Sequence, residues 1–261
     1  MTVAGLGDAA LMTVEIRSNT VLPARRDPVT LRTADGLSLV GEWALPDAVD
    51  PLATVVTFHP LPTAGGFMDS HLFRKASLRL PALADLAVLR FNTRGTTSPH
   101  GTSEGSFDEA RGERFDVDAA LEAGRDLHRP PVVVVGWSFG TDLVLKYALQ
   151  PGVDAVVLLS PPLRYTSEAE LARWAAPPAP GADRIPMTVL VPELDDYLQP
   201  DAARQRFSVV PQAEVVGVSG CQHLGVGERY VRIALNAIAS VALGRSVELP
   251  EEWRPDPEET P

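Results

Sequence analysis

The chain has 261 residues, with 34 acidic and 23 basic side chains and a formal net charge of −11. That balance argues against a nucleic-acid binder, which needs a basic face, and against attraction to anionic membrane surfaces. Apolar residues make up 45% of the chain, enough for a core, yet no apolar run reaches the roughly 18 residues of a membrane span.

The single cysteine, Cys221, excludes an internal disulfide framework and fits a reducing cytoplasm. Met1 to Leu11 has no basic residue and no long apolar block, so it does not read as a secretory signal. There is no C-x-x-C, H-E-x-x-H or EF-hand loop to suggest a metal, and no G-x-G-x-x-G or Walker loop to suggest a nucleotide cofactor. The expectation is a cytoplasmic protein with no metal and no cofactor.

In chain order, residues 1–27 show no clear pattern and read as an N-terminal extension, either a short edge strand or disordered. Val29–Thr33 and Leu37–Trp43 alternate around Ala34-Asp35-Gly36, a strong hairpin signal. Ala53–Phe58 is a buried strand, followed by the loop His59-Pro60-Leu61-Pro62-Thr63-Ala64-Gly65-Gly66. Asp69 or Ser70 is placed to cap a helix through Leu83, with a kink or early end at Pro81. Ala87–Phe91 is the next strand, Thr93–Phe107 a polar loop, and Arg111–His128 a helix.

Pro131–Val135 is β-branched and reads as a buried parallel strand. After Gly136-Trp137-Ser138-Phe139-Gly140, apolar Leu143, Val144, Tyr147 and Ala148 recur at helical spacing. Val153–Leu159 is a strand stopped by Ser160-Pro161-Pro162, and one short helix fits over Thr166–Ala175. Strand Met187–Val191, helix Asp201–Phe207, strand Ala213–Val218 and helix Glu228–Leu243 complete the pattern. Residues 248–261, acidic and proline-rich, read as a disordered tail. A hairpin followed by alternating strands and helices implies one α/β domain over 28–247. Its central sheet is mostly parallel, with helices on both faces.

Gly136–Gly140 is a G-x-S-x-G sequence between a strand and a helix, the setting of a nucleophile elbow. The tight turn strains the serine backbone and demands neighbours without bulk, and the helix that follows aims its N-terminus at developing negative charge. A serine hydroxyl is a poor nucleophile at neutral pH. It needs a base, and the base needs an orienter. His223 is the only histidine beyond Ser138 and follows strand 213–218, in a loop at the same end of the sheet. For the acid, Asp195 is favoured, with Asp196 as the alternative and Glu193 behind both. The Phe139 N–H is one oxyanion donor by the geometry of the turn. The second comes from the loop after strand 53–58, at Leu61, because Pro60 and Pro62 have no N–H.

Phe67, Met68, Trp137 and Leu224 flank these positions and are candidates for a substrate pocket. His59 reads as shaping the oxyanion loop; His71, His100 and His128 read as structural or solvated. Arg94 is expected in a buried pair with Glu113 or Asp116, Asp142 in a helix-packing hydrogen bond, and Cys221 as a small buried filler.

These motifs together resemble the α/β-hydrolase superfamily over residues 28–243. Within it, the chain is similar to a bacterial branch of small hydrolases with little or no lid. The resemblance rests on His59-Pro60-Leu61-Pro62, Gly65-Gly66-Phe67-Met68-Asp69, Arg90-Phe91-Asn92-Thr93-Arg94-Gly95 and Gly136–Gly140. It implies Ser138 as nucleophile, Asp195 as acid and His223 as base. Pro192 departs from the glycine often found three residues before the acid, which leaves Asp195 and Asp196 open. The expected activity is hydrolysis of an ester of a small or medium soluble substrate through an acyl-enzyme on Ser138. Peptidase, thioesterase or acyltransferase activity would use the same parts, and a non-catalytic role on the same fold is the contrasting reading. The expected partner is a small-molecule ester or acyl compound, with no nucleic acid and no membrane, in a monomer or homodimer.

Overall fold

A computed structural model describes residues 13–47, 49–127 and 131–254. The hairpin is formed by β1 (Arg25–Arg32) and β2 (Ser38–Leu45). Then come β3 (Ala53–Phe58), α1 (His71–Ala84), β4 (Leu86–Phe91), α2 (Glu113–Asp126) and β5 (Val132–Trp137). After β5 follow α3 (Phe139–Tyr147), β6 (Ala155–Leu159), α4 (Glu168–Ala172), β7 (Met187–Leu194), α5 (Pro200–Phe207), β8 (Ala213–Gln222) and α6 (Glu228–Leu243). The eight strands form one sheet in the order β1-β2-β4-β3-β5-β6-β7-β8. β2 is antiparallel to both its neighbours, and all other pairs are parallel.

Both faces of the sheet are covered, which is why its central strands read as unbroken apolar runs. Val132 and Val134 of β5 face one layer with Val117 and Leu121 of α2, Leu143 of α3 and Phe207 of α5. Val133 and Val135 face the other, with Phe73, Ala76 and Leu80 of α1 and Val231, Leu235 and Ile238 of α6. The chain leaves β3 toward β4 and returns across it to β5, so the order reverses at this pair. Crevices at such reversals, beyond the carboxyl ends of the strands, are where open α/β sheets bind ligands. The register pairs Phe58 with Gly136, setting the His59 loop beside Ser138.

Several elements differ from expectation. Pro81 does not end α1, which runs on to Ala84. β8 continues to Gln222, because the Glu193 carboxylate accepts from Gly220 N–H at 2.7 Å and from Ser219 Oγ at 2.8 Å. The helix expected over 166–175 is α4 followed by a single 3₁₀ turn, Arg173–Ala175. The tail read as disordered is ordered in part. Leu249 is buried, and Glu252–Trp253 pairs antiparallel with Val14–Glu15. His128 and residues 255–261 lie outside the described residues, as do 1–12. Among the described residues, no helix is long and apolar enough to cross a membrane.

Candidate active site

Ser138 occupies the turn between β5 and α3 at φ +51°, ψ −120°, a left-handed conformation that costs a non-glycine residue about 1–3 kcal/mol. The surrounding glycines make the turn possible. A Cβ on Gly140 would stand 1.9 Å from the Phe58 carbonyl oxygen, so only glycine lets α3 sit this close to β3. Phe139 is the first residue of α3, and its N–H has no carbonyl one turn behind it in the helix.

Three side chains from three connections meet here. Ser138 Oγ lies 2.8 Å from His223 Nε2, and His223 Nδ1 lies 2.8 Å from Asp195 Oδ2. An ionised carboxylate only accepts, so Nδ1 carries the ring proton and Nε2 accepts from the serine hydroxyl. Asp195 is 3% exposed, and its Oδ1 accepts from the N–H groups of Tyr197 at 2.8 Å and Leu198 at 3.3 Å. Asp195, not Asp196, therefore meets the ring. Asp196 lines the cavity in front of it. Glu193 faces away into the β8 contact described above.

His59 is fully buried, and burial lowers its pKa to about 4. Its Nε2 accepts from Thr93 N–H at 3.0 Å, so Nδ1 is protonated and donates to the Pro60 carbonyl at 2.7 Å. A trans peptide sends its C=O and N–H in opposite directions. The ring thus fixes the Pro60–Leu61 peptide with the Leu61 N–H turned away from it. Among the described residues that N–H has no acceptor. Gly66 closes the loop by donating to the Leu61 carbonyl at 2.9 Å.

An open cavity of about 310 Å³ is lined by Leu61, Ser138, Phe139 and His223, with walls from Pro162, Arg164, Tyr165, Tyr197 and Leu224. Of the four apolar pocket candidates, only Leu224 lines it. Trp137 is buried against Phe73 and His71 of α1, and Met68 is 1% exposed with its N–H held by Asn92. Phe67 lies off the cavity, its N–H donating to Ser70 Oγ. Arg164, Tyr165 and Tyr197 are the wall residues that sequence reasoning did not single out. Asp142 anchors that wall, with Oδ1 accepting from Tyr165 N–H at 3.1 Å and from Thr166 Oγ1 at 2.6 Å. Burial pushes the Asp142 carboxyl above its ordinary range.

No family model and no curated protein matches the chain. Solved structures do. A serine hydrolase without a lid from Xanthomonas campestris aligns at a TM-score of 0.63 and 23% identity, covering 85% of this chain and 94% of that one. An alpha-beta serine hydrolase homologue from Coxiella burnetii aligns at 0.64 and 21%, covering 84% and 96%. Est1E from Butyrivibrio proteoclasticus, solved with ferulic acid bound, aligns at 0.64 and 15%, covering 83% and 98%. At these identities the likeness is one of architecture, and it agrees with the strand order and the turn at Ser138: the chain has the α/β-hydrolase fold.

Proposed function

We propose that the protein is a serine hydrolase of the carboxylesterase kind, cleaving esters of small or medium soluble substrates. The observation that carries this reading is the unbroken hydrogen-bond chain from Ser138 Oγ through the His223 ring to Asp195, at 2.8 Å for each step. Ser138 Oγ attacks the substrate carbonyl carbon as its proton passes to His223 Nε2. Asp195 holds the ring by Nδ1 and stabilises the imidazolium that forms. The N–H groups of Phe139 and Leu61 receive the negative oxygen of the tetrahedral intermediate. The imidazolium then protonates the departing alcohol, leaving an acyl group on Ser138. Water, giving its proton to His223, releases the acid and restores the serine.

Access supports a small, soluble substrate. The segment between β6 and β7 carries only α4 and one 3₁₀ turn, and the cavity opens directly to solvent. Structural neighbours described as a lidless serine hydrolase and as an esterase from Pyrococcus furiosus favour the same class.

The test is covalent labelling with a fluorophosphonate, followed by turnover of p-nitrophenyl acetate and butyrate. Wild type is expected to label on Ser138 and turn over both esters. Ser138→Ala is expected to lose the label and to lower kcat by about 10⁶-fold or to background. A folded wild-type protein that takes no label would end the hydrolase reading.

A further inference from the structure

Tyr197 has no part in the hydrogen-bond chain, yet it is held at its centre. The residue is 61% exposed, so burial of its own surface does not account for its position. The ring packs against the imidazole of His223 in a tilted pair, with centroids 4.6 Å apart and planes at 58°. Its backbone N–H donates to Asp195 Oδ1 at 2.8 Å. The acid therefore fixes the main chain of Tyr197, and the side chain returns to the base that the same acid orients. Tyr197 also lines the cavity.

The His223 ring becomes a cation each time Ser138 gives up its proton. The π-face of a tyrosine within about 6 Å of a cation attracts it through the ring quadrupole. We propose that Tyr197 is a positioning residue for His223: its ring keeps the imidazole between Ser138 and Asp195 and favours the cationic form. The catalytic consequence rests on the serine-hydrolase reading, whereas the ring contact itself does not. The role needs the aromatic face and not the phenol oxygen.

Other groups act on the same imidazole. Asp195 bonds it, and Asp196 follows in the same turn. Cys221 stands two residues before it on β8, with Arg229 of α6 near that thiol. From α1, His71 Nε2 lies 3.4 Å from the Gly225 carbonyl in the His223 loop, and burial lowers its pKa. All of these groups remain in the protein when Tyr197 is substituted, and the Phe variant, which keeps the ring, controls for indirect effects on them.

The experiment compares Tyr197→Phe, Tyr197→Trp and Tyr197→Leu. The His223 ring is titrated by NMR in the resting protein and assigned by its loss in His223→Gln. In parallel, kcat/KM for p-nitrophenyl acetate is followed against pH. Phe is expected to titrate with wild type. Leu, giving the cation less support, is expected to lose its proton about half a pH unit lower, a factor of about three. Trp, with the strongest π-face, is expected to shift the midpoint upward. The ascending limb of kcat/KM should move with the ring in each case.

A Leu midpoint equal to wild type would overturn the proposal, as would a Phe midpoint displaced as far as Leu. If the Leu protein does not fold, the other pair decides: Trp titrating no higher than Phe overturns it. The ring titration needs no turnover. A Leu shift in a protein that labels with nothing would sink the hydrolase reading alone, and labelling with no Leu shift would sink this assignment alone.

Discussion

His59 shows how a single residue can set a site without touching the reaction. Its two nitrogens are both committed, one to Thr93 and one to the Pro60 carbonyl, so the orientation of the Leu61 N–H depends on the ring. Replacing it with alanine frees that peptide to turn. The loss of one oxyanion donor typically lowers kcat by about 10²–10³-fold, and His59→Ala is expected to approach that range with KM little changed. A second expectation follows from its burial. The folded state holds the ring neutral down to about pH 4, while the unfolded chain protonates near the ordinary histidine value. Between those values the unfolded state binds more protons, so stability falls as pH falls through this window, by about 3 kcal/mol in all. Urea titrations from pH 7 to 4 would measure the slope, and His59→Leu should flatten it. The meeting of Ser138, His223 and Asp195 is legible in the sequence because few residues of the needed types stand at the ends of the right strands. The pocket wall is not. Trp137 adjoins Ser138 in sequence, but as a strand residue it points into the α1 layer. Arg164 and Tyr165 reach the cavity from a separate crossover.

At the scale of elements, α1 explains why a helix breaker need not break a helix. Pro81 has no N–H, so the Ser77 carbonyl one turn earlier has no helical partner. The Arg26 guanidinium of β1 donates to that oxygen at 3.1 Å. Local sequence cannot reveal such a rescue, because the donor lies 51 residues away. The same holds for β8, whose last turns depend on Glu193 of the neighbouring strand. The turn between β5 and α3 is by contrast written into the glycines of Gly136–Gly140, which the G-x-S-x-G sequence itself displays. Gly140→Ala tests that reading. The new methyl would meet the Phe58 carbonyl, a backbone atom that cannot rotate away. We expect a loss of at least about 1–3 kcal/mol, seen as a lower Tm, together with loss of fluorophosphonate labelling as the turn deforms.

Across the whole molecule, one arginine joins parts far apart in the chain. Arg94 donates through Nε and Nη2 to Asp116 of α2 and through its terminal nitrogens to Asp35 in the β1–β2 turn. Burial pulls its pKa down, but the bonds to the two carboxylates more than reverse this, and the net shift is upward. The expectation of a buried pair holds for Asp116, whereas Glu113 instead accepts from Asp108 N–H at 2.7 Å. Arg94→Met would leave the fully enclosed Asp116 without its cationic partner, keeping only the bond from the backbone N–H of residue 94. Removing one member of such a pair usually costs about 3–5 kcal/mol, which urea denaturation would detect. The hairpin edge and α2 should loosen together.

The lone thiol turns this architecture into a clock. Cys221 is 4% exposed, its Sγ donates to the Gln222 carbonyl at 3.3 Å, and it precedes His223 by two residues. Burial, and then the Asp195 carboxylate, raise the thiol above its ordinary range, so it should react sluggishly while the loop stays shut. Any disulfide-exchange reagent added to the native chain therefore counts excursions of the segment that carries the imidazole. Occupying Ser138 with a fluorophosphonate should lengthen the interval between those excursions. An unchanged modification rate would mean that the segment fluctuates without regard to what sits on the serine.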